Sequence, residues 1–221
     1  MKSILEIACF DYESALLAAK NGADRIEYCH DYSMGGKTPD FDSTKKLLAQ
    51  INIPLFVMLR IGTGFHFNPE DLEIYKKQII EFKKIGVHGF VIGFLNHENE
   101  IDEEFNATLL NLINPLPCTF HRALDHTANY NQSIEKLIAM GFSRTLTSGG
   151  KGNAIDNLEQ LTIAQQNYGH KIVILPGGGI RHTNIAQIKN VTHCQEFHSA
   201  AFINNQLNVD EISKLKLAMN E

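Results

Sequence analysis

Long apolar runs and paired cysteines are both missing from this 221-residue chain. No segment approaches the ~18 continuous apolar residues of a membrane helix, and the first ten residues lack the pattern of a signal peptide. The four cysteines show no C-x-x-C spacing, so they do not indicate a disulfide framework. We therefore expect free thiols, a cytoplasmic location and no membrane partner.

Runs of like charge are also absent. The formal net charge is -5, which does not favour binding to nucleic acid or to an anionic membrane surface. A composition with 43% hydrophobic and 20% charged residues is that of an ordinary globular protein. We expect no nucleic-acid partner, and a core large enough to fold without disulfides.

Short apolar runs alternate with longer amphipathic segments along the chain, eight times in all. The alternation predicts a parallel sheet, and eight units in a chain of this length favour a closed barrel. The turn after the first strand, Phe10–Ser14, lacks the glycine fingerprint of open dinucleotide-binding sheets. The predicted fold is therefore α/β, a single (β/α)8 TIM-type barrel over residues 1–221. Its functional site is expected at the C-terminal mouth of the strands.

Polar side chains fall on one face of most predicted strands. Side chains alternate across a strand, so the apolar residues mark the outer face and leave the others inside the barrel. In the sixth strand this rule assigns Leu146 to the outer face. Two interpretations stay open for the inward set: an ion-pair network in which Glu6 and Glu27 balance Arg60 and a histidine, or a catalytic or binding site. The inward polar residues are Glu6, Glu27, Arg60, His121, Thr147 and His198.

Glycine-rich loops follow the sixth and seventh predicted strands, at Thr147–Gly150 and Pro176–Ile180. Glycine lets backbone N–H groups approach a ligand closely, and barrels often hold phosphate on their last two loops. Arg122, at the end of the fifth strand, is of a type that binds carboxylate or phosphate. The predicted anion-binding residues are Arg122, Ser148, Gly149, Gly177, Gly178, Gly179 and Ser199.

Eight short strings follow one another from the first strand to the seventh. They are L-E (Leu5–Glu6), E-S-A-L (Glu13–Leu16), G-A-D-R-I-E-Y-C (Gly22–Cys29), G-G-K-T-P (Gly35–Pro39), V-M-L-R (Val57–Arg60), T-F-H-R-A-L-D (Thr119–Asp125), L-T-S-G-G (Leu146–Gly150) and P-G-G-G-I-R (Pro176–Arg181). Through them the chain resembles the CutC family of copper homeostasis proteins. The resemblance implies a TIM-type barrel in the cytoplasm, a role in copper homeostasis and a homo-oligomer, dimer or tetramer.

Three functional hypotheses follow. Cu(I) prefers thiolate and thioether ligands, and the inward-facing Cys29 is the candidate metal ligand of a copper protein. The alternative is an enzyme for a small anionic substrate, in which His121 or Glu27 moves a proton and Arg60 binds a carboxylate or phosphate. Its catalytic set is Glu6, Glu27, Arg60 and His121. The third is a copper-responsive scaffold without chemistry. The expected ligand is accordingly a copper ion or a small anion.

Overall fold

Eight parallel strands form the centre of the molecule, which the computed structural model describes over residues 3–220. They are β1 (Ile4–Cys9), β2 (Arg25–Tyr28), β3 (Leu55–Met58), β4 (Gly89–Ile92), β5 (Cys118–Phe120), β6 (Arg144–Thr147), β7 (Val173–Pro176) and β8 (Glu196–Ser199). The hydrogen-bonded order is β7-β6-β5-β4-β3-β2-β1-β8, and its two ends, β7 and β8, contact each other. This nearly closed barrel confirms the predicted fold. Residues 1, 2 and 221 of the predicted domain lie outside the described residues.

A helix lies between each pair of successive strands, and a last one follows β8. The helices are α1 (Tyr12–Lys20), α2 (Phe41–Leu48), α3 (Leu72–Ile85), α4 (Glu103–Ile113), α5 (Tyr130–Met140), α6 (Leu158–Tyr168), α7 (Ile185–Thr192) and α8 (Val209–Met219). Their apolar side chains pack with the outward-facing strand residues in one continuous buried core. Within residues 3–220, none of the helices is both long and apolar enough to cross a membrane.

The third helix shows how the sequence sets these boundaries. A single 3-10 turn, Pro69–Asp71, precedes α3, and the Asn68 side chain caps it by accepting the backbone N–H of Glu70. Gly86 ends α3 with a φ of +86°, a conformation that glycine adopts without steric cost. Proline at the start and glycine at the end therefore define this element.

The first strand confirms the predicted alternation. Leu5, Ile7 and Cys9 belong to the core between the strands and the helices, so Glu6 points into the barrel. Its inward neighbour on β8 is His198, which pairs with Glu6 in the strand register. Alternation therefore brings polar residues of adjacent strands together inside the barrel.

The sixth strand contradicts the prediction, because its two faces are reversed. Leu146 lines the interior cavity, whereas the Thr147 hydroxyl lies 2.9 Å from the Tyr130 hydroxyl on α5. Thr147 also donates to the Asp125 carboxylate. Since both partners satisfy the hydroxyl, a threonine can occupy the helix-facing side of the strand. Thr147 therefore does not join the inward polar set.

A short hairpin after β8, absent from the predicted elements, covers one side of the barrel mouth. Its strands are β9 (Phe202–Ile203) and β10 (Gln206–Leu207), joined by two asparagines with positive φ. Phe202 packs against Tyr32 and Phe10, with ring centroids 4.7 and 5.5 Å away. We refer to Phe10, Tyr32 and Phe202 as the aromatic rim.

Candidate functional site

An ion-pair network fills the lower part of the barrel. Arg25 donates through Nε to Glu6 and through Nη2, at 2.6 Å, to Glu196. Arg144 lies 3.8 Å from Glu196, and the Phe56 ring lies 4.6 Å from its guanidinium carbon. The predicted network therefore exists, but Arg25 and not Arg60 balances Glu6. Arg25 shares the inward parity of Glu27 on β2, the signal by which the sequence could have identified it.

Three ionisable side chains lie above this network in the order Glu6, His198 and Glu27, and we refer to them as the triad. His198 Nδ1 is 2.7 Å from Glu6 Oε1, and its Nε2 is 3.7 Å from Glu27 Oε2. A Cβ atom on Gly177 would lie 3.4 Å from His198 and would overlap Leu146. Glycine at this position therefore leaves room for the Leu146 side chain, with His198 in ordinary contact beside it.

The charges of this triad are unequal. Burial would raise the pKa of Glu6, but Arg25 and His198 outweigh it and hold that pKa well below its usual range. Burial raises the pKa of Glu27 to about 7, although His198 opposes the shift. Burial opposes protonation of His198, but the Glu27 and Glu6 carboxylates raise its pKa. Glu6 is therefore a fixed charge, whereas Glu27 and His198, 3.7 Å apart, each favour the charged form of the other.

The same triad is the candidate metal cluster of the described residues. Glu6, Glu27 and His198 each offer one ligand atom, all within 4.8 Å of one another. Both Glu6 oxygens, however, are already bonded, one to Arg25 and one to His198. A bound cation would have to break a buried ion pair, which is costly. The geometry therefore fits a buried network of charged groups better than metal coordination.

A cavity of about 450 Å³ opens above the triad at the mouth of the barrel. Glu27, Arg60, His121 and His198 line its polar side. The aromatic rim residues Phe10 and Tyr32 line the apolar side. Its volume lies within the range of small-molecule pockets. The structure thus brings three of the four predicted catalytic residues to one cavity, with Glu6 behind them.

Arg60 is a cationic side chain without a contact ion pair. It forms no ion pair among residues 3–220, where its guanidinium donates to the Met34 carbonyl and lies 5.8 Å from the Phe65 ring centre. Its buried Nε has no hydrogen-bond partner there. Burial lowers the pKa of Arg60, but arginine stays charged at any pH at which proteins fold. A cationic group without a contact ion pair among the described residues therefore faces the cavity, and Glu27 and Asp31 act on it only from a distance.

Two more buried atoms at the cavity have no partner among the described residues. They are Glu27 Oε1 and His121 Nε2. Buried polar atoms in proteins are almost always hydrogen-bonded, and exceptions call for an explanation such as a ligand. Three unpartnered polar atoms around one cavity, counting Arg60 Nε, indicate a site that a bound molecule completes.

Asp125 organises the loops beside the cavity. Its carboxylate accepts from the Ser148 hydroxyl at 2.8 Å and from Arg122 Nε at 2.8 Å. A second Arg122 nitrogen donates to the Ser148 hydroxyl at 2.9 Å. Asp125 is not among the predicted site residues, although it lies only three residues from Arg122. Arg122 is thus oriented by Asp125 and lines the cavity, whereas Ser148 does not line it.

The glycines of the predicted anion site have different roles. Gly149 lies against Asn157 and Leu161 of the α6 region and makes a turn away from the cavity. The Gly177 N–H donates to the Thr147 carbonyl at 2.9 Å. Neither residue therefore offers an N–H group to a ligand in the cavity.

The free N–H groups belong to the next residues of the loop after β7 and to the residue that follows β8. Gly178, Gly179, Ile180 and Ala200 line the cavity, and their backbone N–H groups have no acceptor within residues 3–220. Gly178 and Gly179 have φ values of +89° and +71°, and successive N–H groups in such turns form anion-binding concavities. Ser199 also lines the cavity, but its hydroxyl donates to the Ile180 carbonyl at 2.8 Å.

Cys29 lies inside the barrel, as predicted, next to the cavity lining. It packs with Met58, Phe56 and Val91 in a small buried cluster. Its Sγ donates to Glu27 Oε2 at 3.6 Å. Burial and the Glu27 carboxylate raise the pKa of this thiol well above its ordinary value, so it carries its proton at neutral pH.

Comparison with known proteins gives relatives over most of the chain. A human copper homeostasis protein cutC homolog is 36% identical over 199 residues, which are 90% of this chain and 73% of the human one. A family protein CutC from Xylella fastidiosa strain 9a5c is 33% identical over 198 residues, 89% of this chain and 74% of its own.

Solved structures show the same fold. A CutC crystal structure from Streptococcus agalactiae superposes with a TM-score of 0.84 at 27% identity, covering 90% of this chain and 98% of that one. Phosphoribosylanthranilate isomerase from Thermotoga maritima gives a TM-score of 0.65 at 11% identity over 99% of this chain and 98% of its own, a likeness of fold alone. The CutC family model matches residues 3–203. This protein therefore belongs to the CutC family.

Proposed function

We propose that the mouth cavity binds a small molecule bearing a phosphate or carboxylate group, and that Glu27 exchanges a proton with it. The observation that carries the proposal is the Arg60 guanidinium at the cavity wall, which forms no ion pair among residues 3–220. A buried charge without a partner costs several kcal/mol, and an anionic ligand would remove that cost.

The backbone supports the same conclusion independently. The unpaired N–H groups of Gly178, Gly179, Ile180 and Ala200 surround one part of the cavity. Arg122 lies beside them, because a Cβ on Gly178 would be 3.1 Å from its guanidinium carbon. Backbone N–H groups together with an arginine are the usual partners of phosphate oxygens.

Proton exchange is assigned to Glu27 because of its surroundings. Its Oε1 is unpartnered and lies at the cavity, and its pKa of about 7 lets it both take up and release a proton at neutral pH. His198 lies 3.7 Å from its other oxygen and can balance the charge of the carboxylate.

Inorganic phosphate tests the binding step through thermal unfolding. At about ten times its dissociation constant, a ligand adds about 1.4 kcal/mol, which raises Tm by roughly 3–5 °C for a domain of this size. We expect that rise in the wild type, its loss in Arg60→Met and partial recovery in Arg60→Lys. Lys45→Gln, which removes one exposed charge on α2, is the matched control and should keep the rise. An equal rise in all four proteins would contradict a site at Arg60.

Cu(I) binding at Cys29 is a second candidate function, and the packing of a methionine against this cysteine favours it. Cys29 and Met58 pack in the same buried cluster inside the barrel, and Cu(I) prefers thiolate and thioether sulfur. The thiol must lose its proton to bind a metal, and Glu27 Oε2 already accepts a hydrogen bond from it. On this proposal copper affinity increases as pH rises.

An anaerobic Cu(I) competition titration against a chromophoric chelator tests this candidate. We expect stoichiometric uptake that is lost in Cys29→Ser and retained in Cys118→Ser, since Cys118 lies in the core outside the barrel interior. Uptake that is equal in the wild type and Cys29→Ser would rule out Cys29 as the ligand.

A further inference from the structure

The His121 ring is held in one orientation. It follows β5, and its Nδ1 accepts the backbone N–H of Ala123 at 3.2 Å. A Cβ on Gly93 would overlap the ring, and Phe65 lies 5.2 Å from it on another side. Since Nδ1 accepts a hydrogen bond, the proton of the neutral ring is on Nε2. The cavity is therefore lined by a fixed, buried N–H donor without a partner among the described residues.

This donor stays neutral across the pH range in which proteins fold. Burial and the nearby Arg60 lower the pKa of His121 to about 3. With so low a pKa, the ring does not take up a second proton, so it does not serve as a general acid. It is suited instead to hydrogen-bond an oxygen atom that becomes negatively charged during a reaction.

Glu27 approaches the cavity from another direction. It is on β2, and β3 and β4 separate that strand from β5, which leads into His121. A small molecule in the cavity can therefore meet a carboxylate at one point and an N–H donor at another. The unpaired backbone N–H groups after β7 and β8 offer a third contact, for its anionic group.

We propose, building on the anion-binding function above, that the substrate is a phosphate-bearing carbonyl compound. In this proposal its carbonyl oxygen accepts the His121 Nε2–H while Glu27 removes a proton from the neighbouring carbon. The C–H bond breaks and a carboxyl O–H bond forms. The C–H electron pair becomes a C=C bond, and the carbonyl π pair moves to oxygen. Return of the proton to the same carbon completes an exchange. Where that carbon carries a hydroxyl group, the hydroxyl proton moves to the former carbonyl oxygen, the proton from Glu27 returns to the former carbonyl carbon, and an isomerisation results, with no oxidant or reductant required.

Two phosphate compounds of similar size separate this inference from simple anion binding. Phosphoglycolohydroxamate is planar and resembles the enolate, whereas sn-glycerol 3-phosphate carries a tetrahedral alcohol in place of the carbonyl. Mimics of a transition state bind at least about 100-fold more tightly than ordinary ligands in typical enzymes. By calorimetry we expect the hydroxamate to bind at least about tenfold more tightly than the glycerol phosphate.

The variants assign that preference to residues. His121→Phe keeps a flat ring but lacks the N–H donor, so the two affinities should become equal, chiefly through weaker binding of the hydroxamate. Gly93→Ala displaces the ring and should reduce the preference without removing the donor. Glu27→Gln should also reduce it, which gives a second readout if His121→Phe does not fold.

Each result has a distinct meaning. Equal binding of the two compounds to the wild type, or an unchanged preference in His121→Phe, would overturn the inference and leave the anion-binding function intact. Failure of both compounds and of inorganic phosphate to bind would instead overturn the anion-binding function itself.

Discussion

Glu27→Gln should change how the stability of the protein depends on pH. In the folded protein Glu27 keeps its proton to about pH 7, whereas in the unfolded chain it ionises near 4.5. Between these values the unfolded state binds fewer protons, so the free energy of unfolding decreases as pH rises. A carboxyl pKa raised from 4.5 to about 7 corresponds to at most about 3 kcal/mol. The opposing charge of His198 is already part of that shift, so we expect a change of up to about 3 kcal/mol between pH 5 and pH 8.

Urea unfolding at several values between pH 5 and pH 8 measures the effect. Glutamine resembles the protonated carboxyl at every pH, so the two proteins should be similar in stability at pH 5, and the variant should gain relative to the wild type as pH increases. Glu98→Gln, at an exposed loop position, is the matched control and should show no such trend. A difference between variant and wild type that stays constant with pH, or reverses in sign, would refute the assignment of a raised pKa to Glu27.

Two further variants test the ion pair and the packing around the triad. Arg25→Met leaves the Glu6 charge buried with His198 as its remaining partner, so it should destabilise the protein by about 3–5 kcal/mol in urea unfolding, with a smaller loss in Arg25→Lys. Equal losses would contradict a role for the charge. Gly177→Ala should cost about 1–3 kcal/mol through overlap with Leu146. The added substitution Leu146→Ala should lessen the effect of that alanine, and no such coupling would contradict the steric explanation.

Strand alternation predicted much of the interior. It placed Glu6, Glu27 and His198 on the inner face because their apolar neighbours face the helices. The same rule failed on β6, where the apolar residue faces inward and Thr147 is satisfied by side chains from outside the strand. Alternation shows which residues share a face of the strand. Whether that face points into the barrel or towards the helices depends on tertiary hydrogen bonds, which the sequence does not show.

The remainder of the site depends on geometry that no local pattern contains. The sequence indicated a glycine loop after β7, but only the backbone hydrogen bonds show that Gly177 donates its N–H to the neighbouring strand while Gly178 leaves its own free. Arg60 was expected to balance carboxylates, yet its guanidinium reaches the Met34 carbonyl. Arg25 takes the expected role because it lies in register with Glu6 on the neighbouring strand.

The central claim is that an anion binds in the mouth cavity at the backbone N–H groups after β7 and β8. An amide-resolved NMR titration with inorganic phosphate tests it most directly. The account predicts that the amide signals of Gly178, Gly179, Ile180 and Ala200 move together and saturate with one dissociation constant, and that Arg60→Met weakens this binding. Signals at these four positions that stay unchanged, or that drift without saturation like those of the exposed surface, would contradict it.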